Sequence, residues 1–107
     1  MQAVEQTLIT FFTQAAKKDS ALLIKLAKES SFNVDSKHWS FTLPNLYTFL
    51  QQLDKVYNGI DYKQFRQLIF KSSINQTVKL YGAEIVIDNN QFNVDKSGYS
   101  LIWLAQI

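Results

Sequence analysis

At Ser31 the spacing of the apolar residues changes, and this change restricts the chain to folds that join helices to a small sheet. Before it, Val4, Leu8, Phe11, Phe12 and Ala15 recur every third or fourth residue, the repeat of one helix face. After it, Trp39, Phe41 and Leu43 alternate with Ser40 and Thr42, the repeat of a strand with one buried side. A chain carrying both periods, with strand-like sequence again at its end, is expected to be α+β. Its N-terminal half would be helical and include a helix-turn-helix, and its sheet would be small and antiparallel.

The first period predicts a helix over residues 3–18. Asp19 and Ser20 then offer caps for a short second helix over 21–29, with Leu22, Leu23, Leu26 and Ala27 as its apolar set. One bent helix covering both is the alternative. Asp35-Ser36-Lys37 supplies a turn before the Trp39 strand, and Phe32-Asn33-Val34 is either a paired strand or an irregular approach to it. Pro44 suits the first turn of a helix, and Leu46, Phe49, Leu50, Leu53, Val56 and Tyr57 continue its stripe to Asn58-Gly59. Asp61 caps the next helix, which carries Tyr62, Phe65, Leu68 and Ile69 on one side and runs to about Ser73, with a further turn through Lys79 as an option. Gly82 precedes a β-branched strand over 83–88, and Asp88-Asn89-Asn90 opens a turn-rich connection. The segment 99–107 is apolar on both faces: Tyr99, Leu101, Trp103 and Ala105 point one way, Ile102 and Leu104 the other. Phe32-Asn33-Val34-Asp35 is echoed as Phe92-Asn93-Val94-Asp95, either as two independent turns or as a duplication.

Eight Phe, five Tyr and two Trp are spread along the 107 residues with no Gly-, Ser- or Pro-rich linker between them, so a single domain, 1–107, is expected. The chain has no cysteine and one histidine, which removes disulfides, iron–sulfur ligation, thiol nucleophiles and any two-histidine metal site. Gly59, Gly82 and Gly98 are isolated, so there is no phosphate-cradling loop. His38 beside Asp35 is the one pairing with a formal route to catalysis, and nothing in the sequence positions a nucleophile against it. No enzyme activity, cofactor or metal is expected. No apolar run is long enough to span a membrane, and the first residues lack the basic start of a signal peptide. A cytoplasmic address with no membrane partner is therefore the expectation, and the Asn75-Gln76-Thr77 glycosylation triplet carries no meaning.

Residues 44–57, the short turn 58–60 and residues 61–73 describe a helix-turn-helix. With a strand before that pair and a hairpin after it, the element order resembles a winged-helix domain. The resemblance is one of order, without a family motif, and implies a nucleic-acid-binding or protein-binding module. On the helix that begins at Asp61, Lys63, Gln64, Gln67 and Lys71 face away from the apolar stripe, with Arg66 and Phe70 on the flank. Lys63, Arg66, Gln67 and Lys71 are the expected nucleic-acid contacts, the cations mainly to phosphate and Gln or Arg to base edges. The alternative for these residues is a plain solvated helix face. Residues 55–82 hold five basic groups against Asp61 alone, whereas Asp88, Asp95 and Lys96 leave the hairpin loop net negative, so the loop is not expected to touch phosphate. A net charge of +2 favours neither reading. A protein partner or a homodimer is the other expectation. Its interface would use Phe70, unless that ring packs under the hairpin or the N-terminal helices, or Ile102 and Leu104, unless the N-terminal helix covers them.

Overall fold

A computed structural model describes residues 2–89 and 96–104. Helix α1 spans Gln2–Ala16 and α2 Ser20–Lys28. They are separate helices, because α1 ends in a motif that reverses the chain. Lys18 N–H donates to Ala15 C=O and Asp19 N–H to Gln14 C=O, and Lys18 takes the left-handed conformation at φ 59°. Asp19 occupies the N-cap position of α2, but its side chain makes no capping hydrogen bond.

Asn33–Val34 forms β1, paired with β2 at His38–Phe41. Asp35 shapes the turn between them, its Oδ1 accepting from Lys37 N–H (2.7 Å) and His38 N–H (2.9 Å). Leu43 is the first residue of α3 (Leu43–Leu53) rather than the last of the strand, and Pro44 lies in the first turn of that helix. The helix expected to continue to Tyr57 stops at Leu53. Asp54 is extended and its carboxylate accepts from Val56 N–H, opening a 3-10 helix at Lys55–Gly59. A short acidic side chain stabilises a helix start better than a helix interior, and the apolar stripe tolerates the break because Tyr57 remains buried. The next helix, α4, covers Tyr62–Lys71; Ser72 and Ser73 interrupt it, and α5 follows at Ile74–Leu80.

Strand β3 covers Ala83–Asn89, so Asn89 belongs to the strand and not to the turn expected there, and β4 covers Gly98–Trp103. The echo at Phe92-Asn93-Val94-Asp95 and the expected strand end with Ala105 lie outside the described residues. The sheet is antiparallel with order β1-β2-β4-β3. β4 is thus central, with Trp39 opposite Leu101 on one side and Ile85 opposite Leu101 on the other.

Trp39, Phe41, Tyr99, Leu101 and Trp103 share the buried face of the sheet, and a continuous buried cluster joins them to residues from α1 through α5. Trp39 is its centre, with Phe11, Phe12, Phe32 and Phe41 all at ring-centroid distances of 4.5–5.9 Å. On the opposite face, Ser40 and Ser100 share a 2.7 Å hydrogen bond between hydroxyls. The described architecture is α+β, with the helices ahead of a C-terminal hairpin.

Candidate nucleic-acid interface

Two local devices set the orientation of α4. Asp61 and Gln64 form a reciprocal capping box: Gln64 N–H donates to Asp61 Oδ1 at 2.8 Å, and Asp61 N–H donates to Gln64 Oε1 at 3.0 Å. Ahead of the cap, Tyr47 on α3 donates its hydroxyl to Ile60 C=O, and its ring lies 5.1 Å from Phe65 and 5.7 Å from Tyr62. The tyrosine therefore fixes both the turn and the approach of the second helix to the first.

With Phe65 and Leu68 buried and Tyr62 and Ile69 half-buried, the helix presents Lys63, Gln67 and Lys71 on one line of exposed positions four residues apart. Gln64 is exposed beside them, although its carboxamide serves the cap. Arg66 is half-buried on the flank, its guanidinium 6.0 Å from the Tyr62 ring centroid. No acidic residue lies on α4, and no carboxylate among the described residues forms an ion pair with Lys63 or Lys71. The face is chemically able to bind an anionic backbone, and Gln67 sits between the two lysines with a free-standing donor and acceptor.

Phe70 does not pack under the hairpin. It is 56% exposed and lines an apolar groove of about 280 Å³ between the end of α4, the start of α5 and β3, which Ile87, 57% exposed, also lines. Ile102 and Leu104 lie elsewhere. Ile102 is half-buried, on the face of β4 away from Trp103, and Leu104 falls just past the strand end, exposed, its N–H donating to Gly82 C=O at 2.8 Å. The N-terminal helix does not bury either residue. Both line a second and larger cleft that Phe70 does not reach, together with Lys17, Lys18 and Lys37. The three residues expected at a partner interface thus belong to two surfaces, at opposite ends of α5. Nothing in the sequence brings Lys17 and Lys18 to Lys37; the packing of α1 against the end of β4 does so.

His38 Nδ1 is 3.0 Å from Asp35 Oδ1, and His38 lines neither groove. The carboxylate of Asp35 is held below its ordinary value first by the N–H of Lys37, then by that of His38. Among the described residues no three or more His, Asp or Glu side chains gather as a metal site, and no helix is long and apolar enough to cross a membrane. Comparison with protein-family models, curated proteins and solved structures finds no match to this chain.

Proposed function

We propose that this chain is a non-catalytic, winged-helix-like module that binds nucleic acid through α4. The observation carrying this reading is the line of Lys63, Gln67 and Lys71 on a helix that has no acidic residue and is held by a capping box. Lys63 and Lys71 contact phosphate, Arg66 does so from the flank, and Gln67 reaches base edges. The arrangement around α4 is consistent with such a module: β2, which precedes the helix pair, lies beside β4, so the hairpin and the early strand form one sheet. The interposed α5 departs from the simplest winged-helix order and sets the hairpin one short helix further along the chain.

A second reading rests on Phe70. An exposed aromatic at an apolar groove that Ile87 also lines suits a protein partner, and the same fold then serves as an interaction module.

Binding of a fluorescein-labelled random-sequence duplex across a salt series decides between the two. On the nucleic-acid reading, affinity falls steeply as salt rises, and replacing Lys63, Arg66 and Lys71 by Ala flattens that dependence by about one unit of log–log slope per lost phosphate contact. Thermal stability changes little on replacing Lys63 and Lys71, which are exposed, and more on replacing Arg66, which is half-buried against Tyr62. Absence of binding at low salt overturns this reading in favour of the protein partner.

A further inference from the structure

We propose that the cleft between the end of α1, the β1–β2 turn and the end of α5 is a docking site for an acidic segment of a partner protein, with aliphatic side chains between its carboxylates. The cleft has a volume of about 990 Å³. Lys17, Lys18 and Lys37 line it, and among the described residues no Asp or Glu does. The carboxylates nearest to it are Asp19, Asp35 and Glu84, the last standing opposite Ile102 across the β3–β4 pair. Asp35 is turned to its own loop, where it accepts from Lys37 N–H and His38 N–H and faces His38 Nδ1, and Asp19 lies at the start of α2 on the exposed surface. Among the described residues three lysines line the apolar walls and only Glu84, opposite Ile102, adjoins them with a negative charge, so the recess keeps a net positive potential.

The walls are tied together around Trp103. Its indole N–H donates to Ala15 C=O at 2.8 Å, its backbone N–H donates to Lys37 C=O at 2.9 Å, and the next residue, Leu104, bonds to Gly82. The cations are positioned as well. Lys18 Nζ lies 5.2 Å from the Trp103 ring centroid and donates to Ser36 C=O at 3.2 Å, while Lys17 Nζ lies 4.6 Å from the Tyr81 ring. Lys18 achieves this from a left-handed backbone position that glycine would occupy at lower energy. A site ordered before its ligand arrives loses less entropy on binding.

The remaining wall decides the ligand class. Leu80 is 81% exposed and Leu104 48%, and both stand with half-buried Ile102 beside the lysines. Trp103 is buried, and Tyr81, although 40% exposed, has Lys17 Nζ over its ring, so the aliphatic side chains are the larger part of the open apolar surface. Aliphatic side chains alternating with carboxylates match both halves of the lining. This docking site is independent of α4, so the partner it takes and the nucleic acid proposed for α4 can be tested separately.

The test pans a random library of short peptides against the full chain and measures the selected peptides by fluorescence anisotropy. The expected peptides combine Asp or Glu with Leu, Ile or Val. Their affinity should fall by about tenfold or more in K17E/K37E and also fall in L80S, but not in K63A/K71A. Urea midpoints check that the variants fold, and K17Q/K37Q replaces the charge reversal if it does not. Failure to enrich any peptide, enrichment without acidic residues, or affinity indifferent to Leu80 overturns the proposal. It is also overturned if a poly-glutamate peptide, the random duplex or phosphatidylserine vesicles bind the cleft as tightly as the selected peptides, since the site would then select charge alone.

Discussion

The carboxamide of Asn75 lies against the backbone of Ile85, accepting from its N–H at 3.0 Å and donating to its C=O at 3.3 Å. β3 has β4 on one side only, so Ile85 would otherwise offer an unpaired donor and acceptor at the sheet edge, an invitation to pair with another chain. A side chain from the first turn of α5 fills the role of the missing strand. Replacing Asn75 by Ala should cost about 1–3 kcal/mol in urea unfolding. The variant should also associate at raised concentration in sedimentation velocity. A variant as stable and as monodisperse as the parent would show that the edge needs no such cover.

Tyr57 and Tyr47 make a contrasting pair. Tyr57 is fully buried and its hydroxyl has no partner among the described residues; burial, with the charge of Asp54 adding, pushes its ionisation well above the ordinary tyrosine value. Removing an unpaired buried hydroxyl relieves a desolvation cost, so Tyr57→Phe should raise stability by about 1 kcal/mol. Tyr47→Phe removes the bond to Ile60 C=O and should lower stability by about the same amount. Thermal melts of the two variants should therefore shift in opposite directions.

The capping box on α4 links stability to the proposed interface. Asp61→Ala should cost about 1 kcal/mol. Because Asp61 and Gln64 each satisfy an N–H of the other, the double variant should cost less than the sum of the singles. Additivity in a urea-based double-mutant cycle would argue against the reciprocal pair. Loosening the first turn also displaces Lys63, so Asp61→Ala should weaken duplex binding more than Asp19→Ala does.

The turn at Asp35 predicts a pH dependence of fixed sign. The folded-state value of this carboxylate lies below its ordinary 3.8, chiefly through the N–H groups of Lys37 and His38. A depressed value means that the contribution is present above the unfolded value and is lost as pH falls through the folded one. In urea midpoints measured from neutrality down through the acid range, Asp35→Asn should flatten the acid limb and leave the dependence near neutrality to other groups. An unchanged acid limb would mean that the turn does not hold the carboxylate.

The differences between expectation and structure share a physical pattern. Helices α1 and α4, the cap at Asp61 and the burial of Trp39 and Phe41 follow from spacing and cap chemistry, which act within a few residues. Where the chain breaks inside a periodic stretch, the stripe conceals it. Leu53, Val56 and Tyr57 read as one helix face, yet Asp54 starts a 3-10 helix between them and Tyr57 is buried either way. The two-faced apolar pattern of β4 is resolved by neighbours distant in sequence: Ser100 pairs with Ser40, and Ile102 is left half-buried beside Lys37.

The sequence by itself determined α1, α2, α4 and the strands at Trp39 and Ile85, the core-facing sides of α1 and α4, and the exposed basic line on α4, because periodicity and capping are local. Only the tertiary structure decided the strand order, the covering of β3 by Asn75 and the meeting of Lys17, Lys18 and Lys37 with Leu104. Those depend on contacts such as Trp103 to Ala15, 88 residues apart. Closing a loop of that length costs entropy that no local pattern records, and only the packing of the whole core offsets it.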